Sequence, residues 1–283
     1  MYKFAWWVNK PRVYWHMLCA NPKAIDILEK NPDKIDWVEL AGNPEAIHLI
    51  EKNIDKFNYL CWIKLSSNPA ALRILSKFPE KINWHNLSMN PGAIPLLEKY
   101  PHKIVWWALC KNPAALPILE KNLDKIDWII LSGNPCALPL FSGNFHKIRW
   151  YTLSENPAAI DILEKAPELI DWEFLSKNPA AIDLLEKNPD LIDWYWLSAN
   201  PAAIDLLTKN KSKIFWDQLH RNPNAGEILK DYRDEIDWYK MSSNPCIFEY
   251  DYKGMSDKRS DLQEELLSVI FHPDNIVHFK DRV

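Results

Sequence analysis

The dipeptide Asn-Pro recurs at Asn21, Asn43, Asn68, Asn90, Asn112, Asn134, Asn156, Asn178, Asn200, Asn222 and Asn244. Every step is 22 residues except Asn43 to Asn68, which is 25 and holds three extra residues, best placed at Tyr59-Leu60-Cys61. A unit this short cannot bury its own apolar side chains, so a chain built this way is restricted to an array in which each unit becomes the floor of the next. The consensus is N-P-x-A-I-x-L-L-E-K-N-P-D-K-I-D-W-x-x-L-S-x, with Trp at unit position 17 eleven times from Trp15 to Trp238.

Each unit reads as two helices. Asn at position 1 caps the first, and Pro at position 2 suits its opening site. Apolar residues at positions 4, 5, 7 and 8 share one face of a helix ending near position 10. Asp26/Lys30, Asp161/Lys165, Asp183/Lys187 and Asp205/Lys209 are spaced as favourable i, i+4 pairs. Asp or Asn at position 16 caps a second, very short helix in seven of the eleven units. Ile at position 15, Trp at position 17 and Leu at position 20 supply its buried side, and the next Asn-Pro stops it. Pro95, Pro117 and Pro139 at position 6 predict a delayed helix start, because an interior proline removes a hydrogen bond and clashes with the preceding turn.

Helices this short are unstable alone. The expected fold is therefore all-α: a right-handed α-solenoid of about eleven 22-residue units, each one longer helix plus one short α or 3-10 helix. Helices packed about 8–10 Å apart would make it an open, curved rod on the order of 100 Å long. Residues 1–20 read as an N-terminal cap and partial first unit, 21–245 as the solenoid, and 246–283 as a closing cap. Phe4, Trp6 and Trp7 are expected to cover the first unit. Ile247, Phe248 and Tyr250 start like a unit and leave the register. A helix over 261–271 follows, with Leu262, Leu266, Leu267 and Ile270 on one face and His272-Pro273 at its end.

The composition narrows the function. A net charge of −4 provides no global field for a polyanion. The opening residues lack a signal peptide's apolar core, no apolar run approaches a membrane span, and five scattered cysteines form no CxxC pair. A reduced, soluble setting is expected, neither secreted nor membrane-spanning. There is no HExxH, phosphate loop or GxSxG elbow, only six glycines, and the eight histidines are scattered over several unit positions, so most cannot form a line. No catalytic residue, cofactor or metal site is expected.

The unit NPxAIxLLEKNPxxIDWxxLSxNP resembles the tandem repeats common in proteins of giant, nucleocytoplasmic large DNA viruses. The segments NPCIFEYDYKGM and EELLSVIFHPDNIVHFKD resemble the ends of those chains. The likeness runs from Trp15 to about Lys280. It implies a helical repeat protein of viral origin, in host cytoplasm or virion, and brings no catalytic residues to carry over. The chain departs from the pattern at the Tyr59–Cys61 insertion, in the unit NPCALPLFSGNFHKIRW from Asn134, and at Gly226 in an apolar slot.

The words that vary are positions 18 and 19. Five successive units read Trp107-Ala108, Ile129-Ile130, Tyr151-Thr152, Glu173-Phe174 and Tyr195-Trp196. Trp107, Ile129, Ile130, Tyr151, Phe174, Tyr195 and Trp196 are the candidate partner-binding residues, since aromatics anchor interfaces; the plainer alternative is that they are core between layers. The expected function is a non-enzymatic scaffold for a viral or host protein, with a structural subunit of a viral particle as the alternative. Binding of single-stranded nucleic acid, one base per unit, is a minority reading. It is weakened because Asp at positions 6, 13 and 16 and Glu at position 9 largely cancel the recurring lysines at positions 10 and 14.

Overall fold

A computed structural model describes residues 2–270, with side chains as far as Glu264. The repeat is all-helical, but each unit holds more than two elements. Asn at position 1 accepts a hydrogen bond from the N–H two residues on, and the chain then makes a tight turn, often 3-10, as at Pro22–Ala24 and Pro157–Ala159. The α-helix proper starts only at position 5, as in Ile25–Glu29 and Ile182–Lys187. That later start holds in all ten units that form the long helix and explains the prolines. Pro95, Pro117 and Pro139 fall in the first turn of their helices, where the missing N–H would have had no helical partner. A second 3-10 turn, as at Pro32–Lys34 and Pro189–Leu191, joins the long helix to the short one.

The short helix starts at the repeat Trp. Asp36, Asn58, Asn83, Asp127, Asp171, Asp193 and Asp237 accept from its first amides, the seven caps predicted. The three-residue insertion lengthens one of these helices to Tyr59–Ser66 at its N-terminal end, so Trp62 and Leu65 keep their places in the core. Some predicted surface pairs are replaced by longer-range ones: Asp26 accepts from the Tyr2 N–H, and Lys209 reaches Glu186 of the preceding unit at 3.6 Å.

Three buried columns run through the stack: Ala at position 4, Leu at position 8 and Leu at position 20 with few exceptions, for example Ala159, Leu163 and Leu175. The repeat Trp is mostly half-buried rather than core, and in four units a lysine of the next unit lies over its face. Lys125 lies 4.5 Å from the Trp106 ring centroid, Lys147 4.8 Å from Trp128, and Lys213 4.5 Å from Trp194.

Two polar ladders tie the units together. Asn156 donates its amide to the carbonyls of Ser132 and Asn134, at 3.0 and 2.9 Å, and accepts from the Ala158 N–H at 2.9 Å. The same trio recurs from Asn43 to Asn244, with every Asn buried. In the second ladder Ser at position 21 donates to its own helix and accepts from the N–H that opens the next short helix. Ser154 does so with Trp150 and Asp171.

His220 takes the Ser place in one unit. Its Nδ1 faces the Trp216 carbonyl and its Nε2 faces the Asp237 N–H at 2.9 Å. Only the neutral ring, protonated on Nδ1, satisfies both. Burial holds its pKa below the ordinary 6.5, outweighing the Trp216 hydrogen bond. The stability it contributes is therefore complete above 6.5 and is lost as pH falls from there toward the folded value. Urea unfolding between neutral pH and pH 5 is expected to show a steeper loss for wild type than for His220→Ser, which restores the hydroxyl bridge. Parallel curves would contradict this.

The expectation of an open rod is overturned at the chain ends. Asn21 donates its amide to the carbonyls of Ser242 and Asn244, at 3.3 and 2.9 Å, the bonds it would make to a preceding unit. Tyr14 donates its N–H to Ser242 Oγ at 2.8 Å, continuing the serine ladder. The last unit is thus the neighbour of the first, and the solenoid closes into a ring of eleven.

The eleventh long helix is absent from the described residues. In its place β1 (Tyr2–Phe4) pairs antiparallel with β2 (Phe248–Tyr250). The Ala5 N–H donates to the Ile247 carbonyl at 2.8 Å. Phe4 stacks on Phe248 at 4.8 Å between centroids, and Trp7 lies 6.3 Å from Trp238. Phe4 and Trp7 therefore seal the first unit against the last rather than capping a free end. The turn Lys10–Arg12 then occupies the place that Pro32–Lys34 takes one unit later.

Gly226 is explained at this seam. The other long helices carry Ile or Leu at its position, but a Cβ here would already lie 3.5 Å from the Trp7 indole and 3.4 Å from Cys246. Short helices of neighbouring units pack closely round the ring, including Trp15–Leu18 on Trp238–Ser242, whereas the long helices are more widely spaced. On a closed ring the tighter row is the inner one. The Asn-Pro turns share this tightness: at Gly92 any Cβ would collide with the Pro69 carbonyl. The C-terminal helix runs Tyr252–Ile270, earlier and longer than predicted, and its described side chains are largely exposed. The predicted His272-Pro273 stop lies outside the described residues.

Candidate interaction surface

Position 18 lies on the side of the short helix turned away from the leucine column of position 20, whereas position 19 is mostly half-buried or buried. The seven candidate residues separate into two kinds. Trp107, Ile129, Tyr151 and Tyr195, all at position 18, are 46, 45, 41 and 39% exposed. Ile130, Phe174 and Trp196, at position 19, are half-buried. The reading of these residues as core thus fits none of the first group and only part of the second.

The structure brings four of them into one cluster. Tyr151 meets Phe174 edge-on at 5.5 Å, and Tyr195 meets Trp196 edge-on at 5.0 Å. Lys177 joins the pairs, with its ammonium 4.0 Å from the Phe174 centroid and 3.8 Å from that of Trp196. Glu173 accepts from the Trp196 indole N–H at 3.0 Å and lies 3.9 Å from Lys177. The exposed rings are thus held in place before any partner arrives, which lowers the entropy cost of using them. Trp107 stands apart, tilted against His85 at 4.6 Å. Ile129 and Ile130 bridge towards Tyr151 through the neighbouring Thr152, whose hydroxyl donates to the Ile129 carbonyl at 2.9 Å.

The belt continues beyond the candidates. Gln218 donates to the Tyr195 hydroxyl at 2.7 Å, Phe215 packs on Tyr195 at 5.5 Å, and Lys240 pairs with Asp217. It crosses the seam where Tyr239 meets both Tyr14 and His16 at 5.4 Å. These members went unread because they look polar or irregular along the sequence. One signal was available: Phe215 stands at position 16, where most units carry a capping Asp or Asn. Gln218 is buried, and its side-chain carbonyl has no hydrogen-bond partner among the described residues.

Three lysines of the belt are already answered. Lys177 is shared with Glu173 and two rings, Lys64 lies 3.2 Å from Glu39, and Lys240 also lies 3.6 Å from Asp237. Burial pushes the thiols of Cys19 and Cys246 up to about 11 and about 12, so both are protonated at neutral pH and are poor nucleophiles. Among the described residues no group of three or more His, Cys, Asp and Glu is placed to hold a metal, and no helix is long and apolar enough to cross a membrane. The chain matches no family model, no curated protein and no solved structure.

Proposed function

We propose that the protein is a non-enzymatic, ring-shaped scaffold that binds a viral or host protein through the aromatic belt. The observation that carries this is the repeated exposure of Trp107, Ile129, Tyr151 and Tyr195 at one unit position, 39–46% each, beside a core that is complete without them. Rigid, part-exposed aromatics of this kind are the usual anchors of protein interfaces. A polyanion fits less well, because phosphate binding needs uncompensated cations and Lys64, Lys177 and Lys240 each lie beside a carboxylate.

The test compares wild type with Trp107→Ala/Tyr151→Ala/Tyr195→Ala in affinity capture followed by mass spectrometry. Trp196 is left in place because it packs against Lys177 and Glu173. Circular dichroism is expected to be unchanged, and a specific partner is expected to be lost. A partner retained by the folded triple variant would move the site off the belt. Self-association of the purified protein, with no other partner captured, would instead favour a structural subunit of a viral assembly.

A further inference from the structure

We propose that Tyr195 is an oriented hydrogen-bond donor, and that the partner of the belt meets it with an acceptor oxygen, a peptide carbonyl or a carboxylate, next to an apolar side chain. This deepens the proposed function and rests on the belt being the binding surface. Tyr195 is 39% exposed, so its ring is both open to a partner and tied to the next unit through Gln218. The Gln218 amide carries two hydrogens. One goes to the Tyr195 oxygen at 2.7 Å and the other to Asp217 Oδ2 at 3.2 Å. Asp217 decides which way the amide faces. The hydrogen bond from Lys240 holds its carboxyl below the ordinary 3.8, so at neutral pH it is ionised and can only accept. Turned over, the amide would set its oxygen against that carboxylate. The Tyr195 oxygen therefore receives a proton from Gln218, and its own hydrogen must point elsewhere. No hydrogen bond among the described residues takes it.

This arrangement is costly. The side-chain carbonyl of Gln218 is buried and has no partner among the described residues. Position 19 is Ala108, Ile130, Phe174 and Trp196 in other units, so the fold accommodates an apolar side chain there without that cost. What the glutamine adds is a chain of bonds across three units, Lys240 to Asp217 to Gln218 to Tyr195, that fixes the direction of one exposed hydroxyl. Beside the ring, Phe215 packs edge-on at 5.5 Å and is 48% exposed. A directed donor among open aromatic rings suits a peptide segment that brings an oxygen and an apolar side chain together. Gln218 touches no partner in this scheme; it is a positioning residue.

The probe is a library of random peptides displayed on phage, selected on the wild-type ring and depleted on Trp107→Ala/Tyr151→Ala/Tyr195→Ala. Tyr195→Phe keeps the ring and removes the donor, and is expected to weaken the best synthetic peptide about fivefold or more. Tyr151→Phe, whose hydroxyl makes no hydrogen bond among the described residues, is expected to leave affinity unchanged. Gln218→Leu is expected to weaken binding while its urea midpoint stays level or rises, a combination that a structural role does not give. Added salt separates the two oxygens, because affinity for a carboxylate falls and affinity for a neutral carbonyl holds. Peptides lost by the triple variant that bind Tyr195→Phe as they bind wild type would overturn the donor and leave the belt standing. The same loss in Tyr151→Phe as in Tyr195→Phe would also overturn it. Wild-type affinity in Gln218→Leu, or a fall in its stability, would remove the role given to Gln218. If no peptide distinguishes wild type from the triple variant, the belt itself fails and the donor with it.

Discussion

Asn156→Ala is expected to cost roughly 2–4 kcal/mol in urea unfolding, far more than an ordinary cap loses, because a buried donor and two carbonyls lose a partner together. The side chain is fully buried and bonds to Ser132, Asn134 and Ala158. Asn156→Asp separates the contributions. It keeps the cap to Ala158 but replaces the donating amide by an oxygen facing two carbonyl oxygens. At neutral pH it is expected to be worse than alanine, since the second oxygen of a buried carboxylate there meets only the Ser132 and Asn134 carbonyls. Its pKa would be raised in the folded state, so its deficit is expected to shrink as pH falls through the carboxylate range, opposite in sign to His220. An Asp variant as stable as wild type at pH 7 would show that the ladder contributes little.

The second large effect is expected at the seam. Gly226→Ile has no room for its side chain beyond Cβ, because Trp7 and Cys246 occupy the space. Displacing the buried Trp7 indole is expected to cost about 3–5 kcal/mol, the range for losing a large aromatic from a core. Gly226→Ala adds only a Cβ at 3.4 Å and is expected to be nearly silent. Hydrogen exchange is the discriminating measurement. In Gly226→Ile the amides of Tyr2–Phe4 and Phe248–Tyr250 are expected to lose protection while the ladders from Asn68 to Asn178 keep theirs. Small-angle scattering is expected to report a larger radius of gyration if the ring opens. Uniform loss of protection everywhere would mean that the ring unfolds as one unit and that the seam is not a separate weak joint.

Much of this was legible along the chain. The period fixed the stacking, position 16 announced the caps, and the prolines at position 6 foretold the late helix start. Closure was not legible, since its partners lie at opposite ends and out of register. In retrospect the clue is that Asn9 to Trp15 matches the second half of a unit, whereas Asn244 to Ile247 begins one and does not finish it. Each fragment looks like a cap when read alone. The belt was half legible. Alternation at positions 18 and 19 marked a variable face, but period alone could not say that position 18 is open and position 19 covered. That difference arises from how far each short helix leans on the next, as Phe174 does on Tyr151. Gly226 looked like a blemish because the indole that needs its space enters from the other terminus.

Closure also sets how such a chain can change over time. An open array grows or shrinks by a repeat, and only its ends notice. Here eleven units share a full circle, so each joint turns by 360° divided by eleven, about 33°. Twelve units would require 30° and ten would require 36°, at every joint at once, with each Asn amide re-aimed at its neighbour's carbonyls. Duplication or loss of a whole unit is therefore a change to the entire wheel. Additions within one spoke are not, and the three residues Tyr59-Leu60-Cys61 are an addition of that kind.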